Sequence, residues 1–278
     1  MQNIDELISL ALKEDIGEGD HTSLSTIPTT AKGRAKLLIK EDGIIAGVNI
    51  AKKVFKQVDE NFNISIFLSD GQKIKKRDIV FEIEGNAISI LTAERTVLNY
   101  MQRMSGIATY TNLMVSLLDG LNTKILDTRK TTPLMRIFEK MAVEIGGGQN
   151  HRFGLYDMIM IKDNHIDFAG GIEKAIIKTI EYLKLKNLKL KIEVETRNIN
   201  EVKEVLSVGG IDRIMLDNFT LDDMRKAVIL IDRKYETEAS GGITMKTIRS
   251  YAETGVDFIS VGALTHHINS LDMSLKAM

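Results

Sequence analysis

The chain has 278 residues, 44% of them hydrophobic and 27% charged, with two prolines and no cysteine. That length suits one large α/β domain or two smaller ones. The missing cysteine excludes disulfides, thiol nucleophiles, iron–sulfur clusters and cysteine-bound zinc, and fits a reducing cytosol. With 37 basic against 38 acidic residues the formal charge is −1, so the overall balance points to neither nucleic acid nor an acidic membrane.

The chain opens on an amphipathic segment with Ile4, Leu7, Ile8 and Ala11 at helical spacing. It is acidic up to Asp20 and lacks the basic n-region of a secretory leader. No stretch reaches the roughly 18 uncharged apolar residues of a membrane span, and the expectation is a soluble, cytoplasmic protein. Over about residues 22–90, the apolar runs Ala35–Ile39, Ile64–Leu68 and Ile79–Ile83 alternate with turn signals at Asp42-Gly43, Asp70-Gly71 and Gly85-Asn86. This predicts antiparallel strands and a helix near Ile50–Asp59. Leu91–Leu118 predicts a helix, broken near Ser105-Gly106, with Arg95, Asn99, Gln102 and Arg103 as a polar stripe.

From Leu121 short apolar runs alternate with helical patterns. Strands are expected at Lys124–Asp127, Asp157–Ile161, Leu190–Glu195, Arg213–Leu216, Glu236–Ala239 and Val256–Val261. Helices are expected at Leu134–Ile145, Gly171–Leu183, Asn200–Leu206, Leu221–Ile231 and Thr244–Glu253, with Pro133 in the first turn of the first of them. Six strands in βα alternation imply a parallel sheet, closed as an incomplete barrel or left open as a doubly wound sheet.

The ends of these apolar runs gather polar and glycine residues. The first run leads into Asp127-Thr-Arg-Lys and the second into Lys162-Asp-Asn-His165; the third holds Glu193 and Glu195. The fourth meets Asp217-Asn218, the fifth Ser240-Gly241-Gly242 and the sixth Gly262-Ala263. Open α/β sheets and barrels build active sites at strand C-termini. The late glycine loops, the first read as opening a helix, suit a substrate phosphate. Arg129, Lys130, Lys162, His151 and Arg152 suit a multiply anionic ligand, arginine in particular binding carboxylates through two hydrogen bonds. Glu195 and Asp217 can hold Mg²⁺ through oxygen or water, or stabilise a developing cation. Glu193 and Glu195 share a strand face, which leaves open which one reaches the mouth.

The five histidines lack paired metal-site spacing, and no GxSxG, Walker A or GxGxxG occurs. Lys184–Lys191 reads as a solvated stretch. On the residues alone a phosphosugar aldolase or isomerase, with Lys162 as Schiff-base former, is a rival class. A phosphate-sensing module without turnover is the non-catalytic one.

The sequence resembles the quinolinate phosphoribosyltransferases, the type II phosphoribosyltransferases of NAD biosynthesis. The matching segments are EDIGEGDHT (14–22), ERTVLNYMQRMSGIAT (94–109), LDTRKTTP (126–133), GGGQNHRFGL (146–155), MIKDNHI (160–166), KIEVET (191–196), IMLDN (214–218), EASGGI (238–243) and GVDFISVGALTH (255–266).

The resemblance implies an N-terminal α/β sandwich domain (1–105) and an incomplete α/β barrel of six or seven strands (106–266), with 267–278 packing back on the sandwich. It also implies a homodimer with shared active sites. The implied reaction joins quinolinate and phosphoribosyl pyrophosphate, with Mg²⁺, to give nicotinate mononucleotide, pyrophosphate and CO₂. By motif position, Arg129, His151, Arg152 and Lys162 resemble the quinolinate cluster, and Arg95 a residue reaching in from the partner subunit. Lys130 resembles a pyrophosphate contact, and Glu195 and Asp217 the acidic pair beside ribose and metal. Ser240, Gly241, Gly242, Gly262 and Ala263, with His266 beside them, resemble the 5′-phosphate loops. A paralogue acting on another pyridine acid is the nearest rival.

Overall fold

The computed structural model describes residues 3–278. In chain order it contains α1 (Ile4–Ile16), α2 (His21–Thr26), β1 (Lys32–Ile39), β2 (Gly43–Ile44), α3 (Val48–Val58), β3 (Asn63–Ile66), β4 (Lys73–Ile74), β5 (Ile79–Asn86) and α4 (Ala87–Ser116). There follow β6 (Lys124–Leu126), α5 (Arg136–Ile145), β7 (Ile159–Ile161), α6 (Asp163–Ala169), α7 (Ile172–Lys186), β8 (Ile192–Thr196) and α8 (Ile199–Val208). The last are β9 (Arg213–Asp217), α9 (Leu221–Ile231), β10 (Glu236–Ser240), α10 (Ile248–Ala252), β11 (Phe258–Ser260), α11 (Ala263–His266) and β12 (Met273–Ala277). No helix among the described residues is long and apolar enough to cross a membrane.

The chain divides into two compact units. One comprises Met1–Asn112, Thr131–Gly147 and Leu264–Met278; the other comprises Leu113–Lys130 and Gly148–Ala263. The first holds an antiparallel sheet of order β12-β1-β5-β3, so the last strand of the chain pairs with the first, Leu37 opposite Leu275. Helix α3 buries Ile50, Ala51, Val54 and Phe55 on one side, the spacing of an amphipathic helix. The Phe55 ring meets Phe62 and Phe81 edge-on at 5.6 and 5.8 Å.

Three sequence expectations in this unit need correction. Helix α4 runs unbroken for 30 residues through Ser105-Gly106. Those two small residues mark close contacts: the Ser105 hydroxyl accepts from Ala46 N–H and donates to Ala46 carbonyl, at 2.9 and 3.1 Å. A Cβ on Gly106 would lie 2.2 Å from the Asn269 carbonyl oxygen. Next, Gly85-Asn86 is no turn: β5 runs directly into α4, and the Asn86 side chain accepts from Ser89 N–H in the first helical turn. Finally, Pro133 precedes α5 rather than opening it; Leu134 sits at φ 64°, and the helix begins at Arg136. Helix α5 packs on α4 through Tyr100 and Phe138, ring centroids 4.7 Å apart.

The second unit is an α/β barrel, incomplete at six parallel strands in the order β6-β11-β10-β9-β8-β7. Strand β8 is buried at every position, IEVET, as expected of a parallel strand covered on both faces. Val194, Ile214, Leu216, Ala239 and Ile259 are fully buried and form its core. Gln149 bridges the outer edge of β6, its N–H donating to Ile125 carbonyl at 2.8 Å. Because all pairs are parallel, the six strand C-termini lie at one end of the sheet.

Candidate active site

That end carries a pocket of about 320 Å³. Thr128, Arg129 and Lys130 reach it from the loop after β6, His151 and Arg152 from the segment before β7, and Lys162 from just after β7. Ser240 and Ser260 end β10 and β11, Glu238 lies deeper in β10, and Met160 and Met215 supply apolar wall. A wider cleft of about 820 Å³ opens among Thr123, Glu236, Thr237 and Asp257, at the beginnings of the strands, and gathers no comparable set of cations. Four basic side chains facing one small volume favour a multiply anionic ligand. The thioethers suit a flat aromatic ring.

Local chemistry explains why these side chains stand where they do. Lys162 ends β7 and precedes α6, and its backbone N–H donates to His165 Nδ1 at 3.0 Å. His165 is therefore a helix-start brace. The ammonium of Lys162 lies 3.0 Å from Glu195 Oε2. Asn218 takes φ 55°, a conformation asparagine tolerates better than most residues, and its amide donates to Asp217 Oδ2 at 2.6 Å. Ser240 stands opposite Asp217 in the β9–β10 register.

Gly241 comes next at φ 100°, and a Cβ there would meet Asn218 Oδ1 at 2.2 Å. Only glycine satisfies both constraints. The Ser240-Gly241-Gly242 loop does not open a helix, as the sequence had suggested. Ile243 and a hydrogen-bonded turn at Thr244–Thr247 intervene before α10, which starts at Ile248.

Beneath the pocket lies a buried polar cluster. His151 Nε2 is 3.0 Å from Glu193 Oε2 and 3.2 Å from Glu238 Oε2. The Arg213 guanidinium reaches Glu238 at 2.9 Å and Glu193 at 3.9 Å. Burial disfavours the Glu193 anion and the neighbouring Glu238 charge adds to this, lifting Glu193 to about 7 against the pull of His151. Burial lowers the His151 pKa, and the two carboxylates facing Nε2 pull against it.

Glu238 moves down despite burial, because hydrogen bonds from His151 and Ser260 favour its anion. Arg152 N–H donates to His151 Nδ1 at 2.7 Å, which places the imidazole proton at Nε2, between the carboxylates. Arg152 itself is lowered by burial first and by the Arg129 charge second, and its guanidinium stays cationic.

Of the residues singled out from sequence, Arg129, Lys130, His151, Arg152, Lys162 and Ser240 line the pocket. Glu195 joins through Lys162, and Asp217 and Gly241 flank Ser240. Gly262 and Ala263 come after β11, with α11 starting at Ala263. Arg95 and His266 belong to the other unit, where Arg95 is exposed on α4.

Thr128, Met160, Met215, Glu238 and Ser260 line the pocket without having been singled out for it. For Glu238 a signal existed: a charged residue inside a strand run, two positions from Glu236. His151, Glu193 and Glu238 are the one group of His and acidic side chains among the described residues spaced to hold a metal ion. There the Arg213 guanidinium already supplies the cation. Glu195 and Asp217 instead offer hard carboxylate oxygens at the ends of adjacent strands, a donor set suited to Mg²⁺.

Comparisons with known proteins bear on the family and the fold of the chain. Two sequence models match the chain: quinolinate phosphoribosyl transferase, N-terminal domain, over residues 20–105, and the C-terminal domain of the same family over 107–276. The chain is 48% identical to a chloroplastic nicotinate-nucleotide pyrophosphorylase [carboxylating] of Arabidopsis thaliana, over 97% of this chain and 81% of the relative. It is 43% identical to a probable nicotinate-nucleotide pyrophosphorylase [carboxylating] of Bacillus subtilis, over 97% and 92%. The solved structure of the nicotinate-nucleotide pyrophosphorylase from Francisella tularensis superposes with a TM-score of 0.92 at 43% identity, covering 99% of this chain and 96% of that one.

Proposed function

The chain belongs to the quinolinate phosphoribosyl transferase family and is a pentosyltransferase that makes nicotinate mononucleotide, pyrophosphate and CO₂ from quinolinate and phosphoribosyl pyrophosphate, and we propose that the pocket at the strand C-termini is where it does so. The observation that carries the assignment of the site is the convergence of Arg129, Lys130, Arg152 and Lys162 beside the Met160–Met215 wall. A pyridine dicarboxylate is flat, aromatic and doubly negative, and this pocket answers each property.

In this reading Arg129, His151, Arg152 and Lys162 take the quinolinate end, and Lys130 takes pyrophosphate. Ser240-Gly241-Gly242 and Gly262-Ala263 take the 5′-phosphate. The pyridine nitrogen attacks C1 of the ribose; the C1–N bond forms as the C1–O bond to pyrophosphate breaks. Positive charge develops on the sugar, where Glu195 and Asp217 stabilise it. The ring nitrogen, now quaternary, withdraws electrons as the C2–carboxylate bond breaks and CO₂ departs, and C2 takes up a proton. No side-chain nucleophile is needed; catalysis is positioning and electrostatics. Glu195 and Asp217 would hold Mg²⁺, directly or through water, and the ion would supply positive charge for the leaving pyrophosphate.

Protein with Mg²⁺, phosphoribosyl pyrophosphate and either quinolinate or nicotinate tests the reading, with CO₂ and mononucleotide monitored together. Turnover of nicotinate but not quinolinate would overturn it. We further propose a homodimer in which Arg95 completes the partner's site. Mixing inactive Arg95→Ala and Arg129→Ala subunits should then restore part of the activity, and mixed dimers without recovery would refute the sharing.

A further inference from the structure

The cluster under the pocket is costly to build. Glu193 and Glu238 are fully inaccessible, and His151 and Arg213 are each 8% exposed. Buried ion clusters give a fold little net stability, since apolar residues of similar volume often do as well or better. Yet three adjacent strands contribute to this one: Glu193 from β8, Arg213 opposite it from β9, and Glu238 from β10. Arg213 is itself held from two further sides, by Glu236 at 3.1 Å and by the Phe258 ring 4.0 Å from its guanidinium carbon.

The connections of His151 show what the cluster holds. Its backbone N–H donates to the buried Asp127 carboxylate at 2.8 Å. Nε2 faces the two glutamates, and Nδ1 accepts from the backbone N–H of Arg152. Nε2 is thus buried within ion-pair distance of two carboxylates and Nδ1 is held by the main chain, although the ring borders the pocket. The Arg152 guanidinium is tied in turn to Met158 carbonyl at 3.3 Å.

We infer that Glu193, Glu238 and Arg213 are positioning residues: a buried, charge-balanced bracket that fixes the His151 ring and, through its Nδ1, the backbone of Arg152. His151 then serves quinolinate as a brace for the arginine beside it rather than by donating a ring N–H to a carboxylate. This rests on reading the pocket as the quinolinate site. It extends the site into the sheet interior, to residues that act through His151. Loss of the bracket lets Arg152 wander, which weakens the dicarboxylate end and leaves the phosphoribosyl end in place.

The test is steady-state kinetics of Glu193→Gln and Glu238→Gln with both substrates varied. The expected result is a quinolinate KM raised about tenfold or more, with the phosphoribosyl pyrophosphate KM and kcat changed far less. A change of both KM values together, or of neither, would overturn the bracket, because a merely structural loss does not discriminate between substrates. A second arm places His151→Gln in the wild-type and Glu238→Gln backgrounds. If the glutamate acts through His151, the second substitution adds little; independent, multiplicative losses refute the coupling.

Should the glutamine variants fail to fold, nitrogen chemical shifts of His151 in the wild-type protein decide the matter. Nδ1 unprotonated and Nε2 protonated is expected, and a protonated Nδ1 overturns the inference. Wild-type protein without quinolinate turnover would instead sink the reading of function, so the two failures are told apart.

Discussion

Replacing Gly106 by alanine separates two accounts of the long helix α4. In a helix with open surroundings, alanine in place of glycine stabilises by about 1 kcal/mol. Here the new Cβ would stand 2.2 Å from the Asn269 carbonyl oxygen, 3.1 Å from its carbon and 3.2 Å from Ser270 Cα. All three are backbone atoms, so no side chain can swing aside. Relief requires the 269–271 segment to lift away from the helix, and that segment is tied down. Leu271 N–H donates to Gln102 carbonyl at 3.0 Å, and the Gln102 amide donates to Met273 carbonyl at 3.0 Å.

Overpacking of this kind costs about 1–3 kcal/mol, and loosening one hydrogen bond adds about 1 kcal/mol. Set against the helix-propensity gain, the net expectation is a loss of about 2 kcal/mol. At about 2–4 °C per kcal/mol for a chain of this size class, the melting temperature should fall by about 4–8 °C. Urea and thermal unfolding of wild type and Gly106→Ala measure this. A variant as stable as wild type, or more so, would refute the close-approach argument.

Three further outcomes are expected. Arg103→Met leaves Glu139, fully buried and 2.8 Å from the lost guanidinium, without its cation. Removing one partner of a buried pair costs about 3 kcal/mol, and Arg103→Met combined with Glu139→Leu should recover much of it in denaturant titrations. An unchanged single variant would show the pair to be idle.

The His151–Glu193 cluster makes stability depend on pH. Glu193 near 7 holds in the folded state a proton that the unfolded chain releases around 4.5. Its contribution is complete below that unfolded value and is lost as pH rises through about 7. Urea midpoints should therefore fall with rising pH more steeply in wild type than in Glu193→Gln, and parallel curves would contradict the assignment. Gly241→Ala forces a side chain into a φ of 100° against Asn218. It should raise the phosphoribosyl pyrophosphate KM more than the quinolinate KM, and the reverse order would move the phosphate site elsewhere.

Period alone located the βα alternation. Each of the six expected strands overlaps an observed one, Arg213–Leu216 becoming Arg213–Asp217, because a buried parallel strand is a short apolar run. The polar residues after those runs then had to share one end of the sheet, and Arg129, Lys130, Lys162 and Ser240 do meet there. Local pattern also misled where tertiary contact overrode it. Ser105-Gly106 and Gly85-Asn86 are breaker pairs by composition. In the fold they are a helix contact with the 269–270 backbone and a strand running straight into a helix.

The choice between Glu193 and Glu195 was beyond the sequence, since alternation gives both the same face. The structure separates them by depth along β8: Glu195 pairs with Lys162, while Glu193 sits below against His151, Glu238 and Arg213. Residue order thus determined the chemistry available at the strand ends and the family to which the chain belongs. Depth within the sheet, which depends on register between strands distant in sequence, decided which acid meets Lys162 and which stands against the histidine beneath the pocket.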